Sequence, residues 1–317
     1  PVRSPLCSRP AGMLPAVMAS SSLALWRDRR GRLSALRIAV LLLLLLPLLL
    51  AAQAMLTMGL GARPLNDLIH RTGYWALLFV LLSLTVTPLA RVGRFSGLID
   101  VRRMIGVGAF CYAAAHILLF VADQSFNLFK VASEIVLRLY LTIGFIALLS
   151  LTALAVTSTD AMVRRLGAQR WQRLHRIVYG IALLGLIHFF QQTKADVWLP
   201  TFAAGLFVWL MGYRIMARLR GPEPTVLSLL TLTLLASALT TLGEALGIAL
   251  YYGVSPWLVL QSSFEFDFDM IRPGWLVLGA GLCVVALVVA RALWRKPQRS
   301  GRLSPAHGNS TAGKSAA

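Results

Sequence analysis

The chain of 317 residues is 57% hydrophobic and only 14% charged, with a mean hydropathy of +0.72, too apolar for an ordinary soluble domain. A formal net charge of +19 does not signal nucleic-acid binding, because the arginines sit in short runs between apolar blocks rather than on one domain or face. Three cysteines without a CxxC or CxxCH exclude a zinc knuckle, a disulfide framework and covalent attachment of a c-type haem.

The apolar blocks run to roughly 18–25 residues, the length that crosses a hydrocarbon core at about 1.5 Å per residue. Short alternating segments, as in a barrel, do not occur, and no period of roughly 20–50 residues repeats. The predicted fold class is all-α, a polytopic transmembrane helical bundle. A basic, Ser- and Pro-rich tail over 1–35 comes first and is expected to be disordered. With no initial Met, the chain reads as a fragment or as a mis-set start, with Met13 or Met18 as candidates. The first span, 36–58, carries LLLLLLPLLL followed by Ala52-Gln53-Ala54, which resembles a signal peptide and its cleavage site. The apolar core continues through MLTM, which favours an uncleaved helix. Seven further spans are predicted at 68–90, 104–121, 137–156, 171–191, 198–216, 226–251 and 275–294. Cys111 and Cys283 fall inside spans and are expected to be small buried apolar side chains. The chain thus divides into a tail (1–35), a six-span core (36–216), two additional helices (217–296) and a second disordered tail (297–317).

Lys and Arg favour the cytoplasmic side of a membrane. RDRRGR, RVGRFSGLIDVRR, VRRLGAQRWQR, YRIMARLR and RALWRKPQR are basic, and the loops between them are poor in positive charge. The alternation has no exception and predicts both termini in the cytoplasm.

Ionisable groups inside a membrane are rare and usually face the bundle interior for a functional reason. His116, His175 and His188 fall within spans. His116 is 13 residues beyond Arg103 and His188 is 15 beyond Arg173. At about 1.5 Å per residue they lie roughly 20 and 22 Å from the cytoplasmic anchors, level in the outer half of the membrane. Two imidazoles at one depth on two parallel helices can take the two axial positions of a haem. His175 lies 13 residues before His188 on a segment that reads as one helix. Steps of about 100° then leave the two side chains roughly 140° apart, and no histidine low on span three completes a second pair. Three roles for His175 stay open: ligation of a second haem with a different sixth ligand, contact with a haem edge or a quinone, or packing. His70, at the outer start of span two, reads as interfacial, with a haem-edge or docking contact as the alternative. Arg91, Arg102 and Arg103 read as topology anchors. Arg138 at the outer end of span four is a candidate for haem propionates, since guanidinium binds carboxylate through two parallel bonds; a helix-end anchor explains it equally. Glu244 in span seven is an expensive placement that can mark a proton path. Glu265, Asp267 and Asp269 read as a solvated outer loop.

The run from Leu65 to Tyr213 resembles the MsrQ family, also called YedZ, within the wider ferric-reductase-like transmembrane cytochromes. The resemblance rests on HRTGYWALLF (70–79), TPLAR (87–91), RRMIG (102–106), AAAH ending at His116, RLYLTIG (138–144), TST (157–159), LHRIVY (174–179) and IHF (187–189). It implies a haem-binding subunit of a methionine sulfoxide reductase system in the bacterial inner membrane. His116, His175 and His188 would be the haem-associated histidines, holding one b-type haem or two. Electrons would come from the quinone pool and pass to a periplasmic molybdenum reductase, MsrP. The family has also been described with FMN, which matches no particular residue here. Spans seven and eight go beyond the six-span core, either padding the bundle or shaping a partner or quinone surface.

Two rival functions follow from the residues alone. A ferric reductase acting by itself needs a flavin and nicotinamide domain, but no GxGxxG or long hydrophilic stretch is present; a separate soluble flavin reductase is the remaining donor of that kind. A cofactor-free transporter or structural subunit is the other, and it lacks the expected inverted repeats.

Overall fold

The computed structural model describes residue 26 and residues 32–294, apart from 58, 96, 194–195, 222–223 and 266–269. The expectations for Asp267, Asp269 and most of both tails lie outside the described residues. Among the described residues there are twelve helices and no strand. They are α1 (Ala35–Leu56), α2 (Pro64–Gly93), α3 (Leu98–Asp123), α4 (Leu128–Leu137), α5 (Leu139–Val156), α6 (Asp160–Leu166), α7 (Ala168–His175), α8 (Val178–Gln192), α9 (Trp198–Arg220), α10 (Val226–Tyr252), α11 (Pro256–Ser262) and α12 (Pro273–Trp294). Eight segments, with α7 and α8 counted together, are long and apolar enough to cross a membrane, and each overlaps one predicted span. The protein is a multi-pass helical membrane bundle.

Helix α2 runs through the centre, with Leu84 fully buried and Phe79 and Leu81 2% exposed. It packs along α3 and also touches α8, α9 and α12; α5 pairs with α8, and α9, α10 and α12 group together. The leucine-rich α1 turns Leu42, Leu45, Leu48 and Leu49 outward, as suits a helix whose solvent is lipid. Starts are set by side-chain caps: Asn127 accepts from the Lys130 amide at 3.0 Å and Thr225 from the Ser228 amide at 3.2 Å.

Pro88 lies inside α2 and has no N–H, which strips the Leu84 carbonyl of its helical partner. Arg214 of α9 fills that role, donating from Nη2 to the Leu84 oxygen at 2.6 Å. Its Nε reaches the Tyr179 hydroxyl at 3.3 Å, and its guanidinium lies 5.3 Å from that ring's centre. The sequence placed Arg214 in a basic anchor run; in the structure it ties α9 to α2 and α8. Arg214→Leu is expected to lower stability by about 1–3 kcal/mol, the cost of an unsatisfied buried acceptor, with Arg214→Lys in between. Thermal unfolding in detergent checks this, and an unchanged midpoint for the leucine variant would refute it.

Two expectations are corrected, and one helix is added to those predicted. The segment 171–191 is not one helix: α7 ends at His175, and the amides of Arg176, Ile177 and Tyr179 bond three residues back. Such a tightened turn advances about 120° per residue, so the 140° offset computed for His175 and His188 does not apply. Span four is preceded by a separate amphipathic helix, α4, with Arg138 at the junction. Cys111 and Cys283 are exposed rather than buried, because a thiol meets lipid tails at little cost and needs no protein cover.

Candidate functional site

Helices α2, α3, α5 and α8 enclose a cavity of about 280 Å³ lined by both His116 and His188. Most of the lining is apolar, including Leu77, Val80, Ile117, Phe145, Leu148 and Ile181. Polar groups (Asn66, His70, Asp123 and Gln192) come from the helix ends remote from the basic loops.

The two histidines are held by the same device used twice. His116 of α3 places Nδ1 2.8 Å from the carbonyl oxygen of Ile69 on α2. His188 of α8 places Nδ1 2.7 Å from the carbonyl oxygen of Tyr140 on α5. A carbonyl can only accept, so each Nδ1 carries the proton and each Nε2 keeps its lone pair. Four residues after each carbonyl stands a glycine. A Cβ on Gly73 would sit 2.9 Å from the His116 Nδ1, and one on Gly144 would sit 2.8 Å from the His188 Nδ1. Residues four apart share a helix face, so each glycine opens the space through which an imidazole reaches the carbonyl one turn back.

The ring centres of His116 and His188 are 6.3 Å apart, with the rings 85° from coplanar. With a metal–imidazole bond of about 2 Å and about 1.1 Å from nitrogen to ring centre, imidazoles on opposite sides of one iron have centres roughly 6 Å apart. The pair therefore fits a bis-imidazole haem iron. Among the described residues no group of three or more His, Cys, Asp or Glu gathers around a common point. Two ligands suffice for an iron whose four other positions a porphyrin supplies.

The remaining candidates go elsewhere. His175 stacks on Trp171, ring centres 3.8 Å apart; its Nδ1 lies 3.1 Å from the Trp171 carbonyl oxygen and its Nε2 3.4 Å from the Ser158 hydroxyl. It does not line the cavity with the other two. Arg138 forms an ion pair with Glu134 at 2.5 Å and stays half exposed, off the cavity wall. His70 is exposed at the cavity rim. Reading the sequence missed Gly73, Gly144, Asn66 and Gln192. A glycine inside an apolar helix was an available signal, since it costs about 1 kcal/mol against alanine.

The helices that carry the paired imidazoles are similar to a known class of membrane protein: residues 72–186 match the family described as ferric reductase like transmembrane component. The protein-methionine-sulfoxide reductase heme-binding subunit MsrQ of Rhodospirillum rubrum is 40% identical over 195 residues, covering 61% of this chain and 91% of the relative. Its counterpart in Azospira oryzae is 39% identical over 198 residues, 61% of this chain and 85% of the relative. That of Herminiimonas arsenicoxydans is 44% identical over 146 residues, 46% and 67%. The chain belongs to the MsrQ family. No solved structure matches it.

Proposed function

We propose that the protein is the haem-binding membrane subunit of a protein-methionine-sulfoxide reductase system, carrying electrons from the quinone pool to a periplasmic molybdenum reductase of the MsrP type. The observation that carries the reading is the His116–His188 pair, 6.3 Å apart across an apolar cavity. His116 and His188 would hold a b-type haem through Nε2. That group supplies one-electron storage at an iron whose potential its surroundings set. The chain's own residues do the rest. The Ile69 and Tyr140 carbonyls orient the imidazoles and raise their basicity. The apolar walls exclude water, and Asn66, His70 and Gln192 offer donors to carboxylates at the polar rim.

In this reading 36–216 is the haem core and 217–296 is an addition to it. The basic loops face the cytoplasm of a bacterial inner membrane, so the paired histidines lie toward the periplasm, where the partner would dock. Support comes from the unbroken charge alternation and the named relatives. FMN, named for the family, has no residues here to which it can be assigned.

Protein purified from haem-sufficient cells is expected to give a reduced-minus-oxidised b-type spectrum and to be reduced by an added quinol. A colourless preparation that takes up no haem would end the electron-carrier reading. Reduction only by a soluble flavoprotein would move the donor to the cytosol.

A further inference from the structure

Helix α4 joins the ends of α3 and α5 that lie away from the basic loops. At 10 residues it is too short to cross a membrane, and it packs on α5. Side chains advance by about 100° per residue, which sorts α4 into three sectors. Val131 and Ile135 form the first: Val131 is the buried residue of the helix, and Ile135 lines the histidine cavity. Leu128, Ala132, Val136 and Phe129 come next around the helix, all apolar and all exposed, with Val136 77% and Phe129 84% bare. Ser133, Lys130 and Glu134 close the circle, and Leu137 at the helix end is the exception in that sector.

Three sectors in this order fit a helix at the rim of a bundle in the head-group region, with protein on one side, acyl chains on the next and water on the third. The flanking spans also turn apolar side chains outward: Leu118 of α3, and Leu139 and Ile146 of α5, are exposed within helices long enough to cross the membrane. The bare sector of α4 thus adjoins surface whose solvent is lipid. Charge does not point to a protein partner instead. Glu134 is paired with Arg138, which leaves Lys130 as the remaining charge on the helix.

We propose that α4 is a membrane-surface helix, with the face of Leu128, Phe129, Ala132 and Val136 sunk among lipid chains, so that lipid holds one wall of the histidine cavity in place. That wall is the stretch 135–142. Thr142 Oγ1 donates to the Ile135 carbonyl oxygen at 2.5 Å, the Tyr140 carbonyl accepts from His188, and Leu141 lines the cavity. Seating α4 therefore steadies one of the two imidazole supports. The inference rests on the bundle and the cavity wall, and it holds whichever group fills the cavity.

The test is spin labelling of the full chain in phosphatidylcholine nanodiscs, in a background of Cys7→Ser, Cys111→Ala and Cys283→Ala. Nitroxides are attached singly at Phe129→Cys, Val136→Cys and Lys130→Cys. Power saturation then compares collision with oxygen, which concentrates in lipid, and with a water-soluble nickel chelate. The labels at 129 and 136 are expected to favour oxygen and the label at 130 the chelate. Equal contact with the chelate at all three positions places the apolar face in water, overturns the proposal and leaves that face to a soluble partner. The hold on the cavity wall is read separately by hydrogen exchange over 138–144. Val136→Asp, which sets a charge against the lipid, should speed that exchange by about fivefold. Lys130→Asp on the water side should leave it as in wild type. Unchanged exchange in Val136→Asp overturns the hold on the wall even where the labels show α4 seated in lipid. The label positions are exposed, so the seating is tested even if Val136→Asp fails to fold.

Discussion

His116→Ala and His188→Ala are each expected to abolish the bis-imidazole haem signal, with haem affinity falling by more than about 100-fold. The bound is set by outer-shell partners, whose loss alone costs about 10- to 100-fold in metal affinity; removing the ligand itself must cost more. The geometry gives no substitute, because among the described residues no third histidine, cysteine or carboxylate joins the pair. His175→Ala and His70→Ala should keep the signal, since the first residue is engaged by Trp171 and Ser158 and the second is exposed at the rim. The optical and low-temperature EPR spectra of the purified variants check this. Added free imidazole provides a second reading: it should restore the low-spin spectrum of His188→Ala if ligation is the role, and should do nothing if the histidine merely packs. A normal spectrum in both alanine variants would dismiss the pair as ligands.

Similar height for His116 and His188 is legible from their spacing to Arg103 and Arg173, and the rings do lie 6.3 Å apart, although the run from Arg173 to His188 crosses the turn at Arg176 and Ile177. The eight spans are legible as well, since hydrocarbon thickness dictates their length. Azimuth is another matter. An offset of roughly 140° between His175 and His188 holds only for an unbroken helix, and the turn at Arg176 and Ile177 rests on three hydrogen bonds that composition does not announce. The short helices α4, α6, α7 and α11 lie at or beside span ends, where no hydrophobic length rule applies. Arg138 illustrates the limit for charged residues: its place at the head of a span follows from sequence, but its partner, Glu134 one turn earlier, decides what it does. Arg214 shows the reverse, a cation in a basic run whose inward role follows from Pro88 on another helix. The supports of the imidazoles are backbone carbonyls of Ile69 and Tyr140, and a carbonyl leaves no trace in residue identity.

The glycines beside those carbonyls yield a prediction in which the sign of one measurement separates two explanations. If Gly73 and Gly144 only loosen their helices, alanine should stabilise the protein by up to about 1 kcal/mol each and leave haem binding alone. If they are the gaps that admit the imidazoles, the new Cβ atoms meet Nδ1 at 2.9 and 2.8 Å and the rings must move off their carbonyls. Each ring then loses the bond that fixes its tautomer and aims its Nε2. Gly73→Ala and Gly144→Ala are therefore expected to lower haem affinity by about 10- to 100-fold, as for loss of an outer-shell partner, with no gain in apo-protein thermal stability, because the lost ring–carbonyl bond offsets the gain in helix propensity. Gly180→Ala on α8 is the control, because its Cβ would meet nothing within 4 Å and its haem affinity should match wild type. Haem transfer to apomyoglobin measures the affinities, and the EPR spectrum of the retained fraction reports the altered ring angles. Should Gly144→Ala hold haem as wild type does, the glycine has no positioning role, and His188 has room to reach Tyr140 without it.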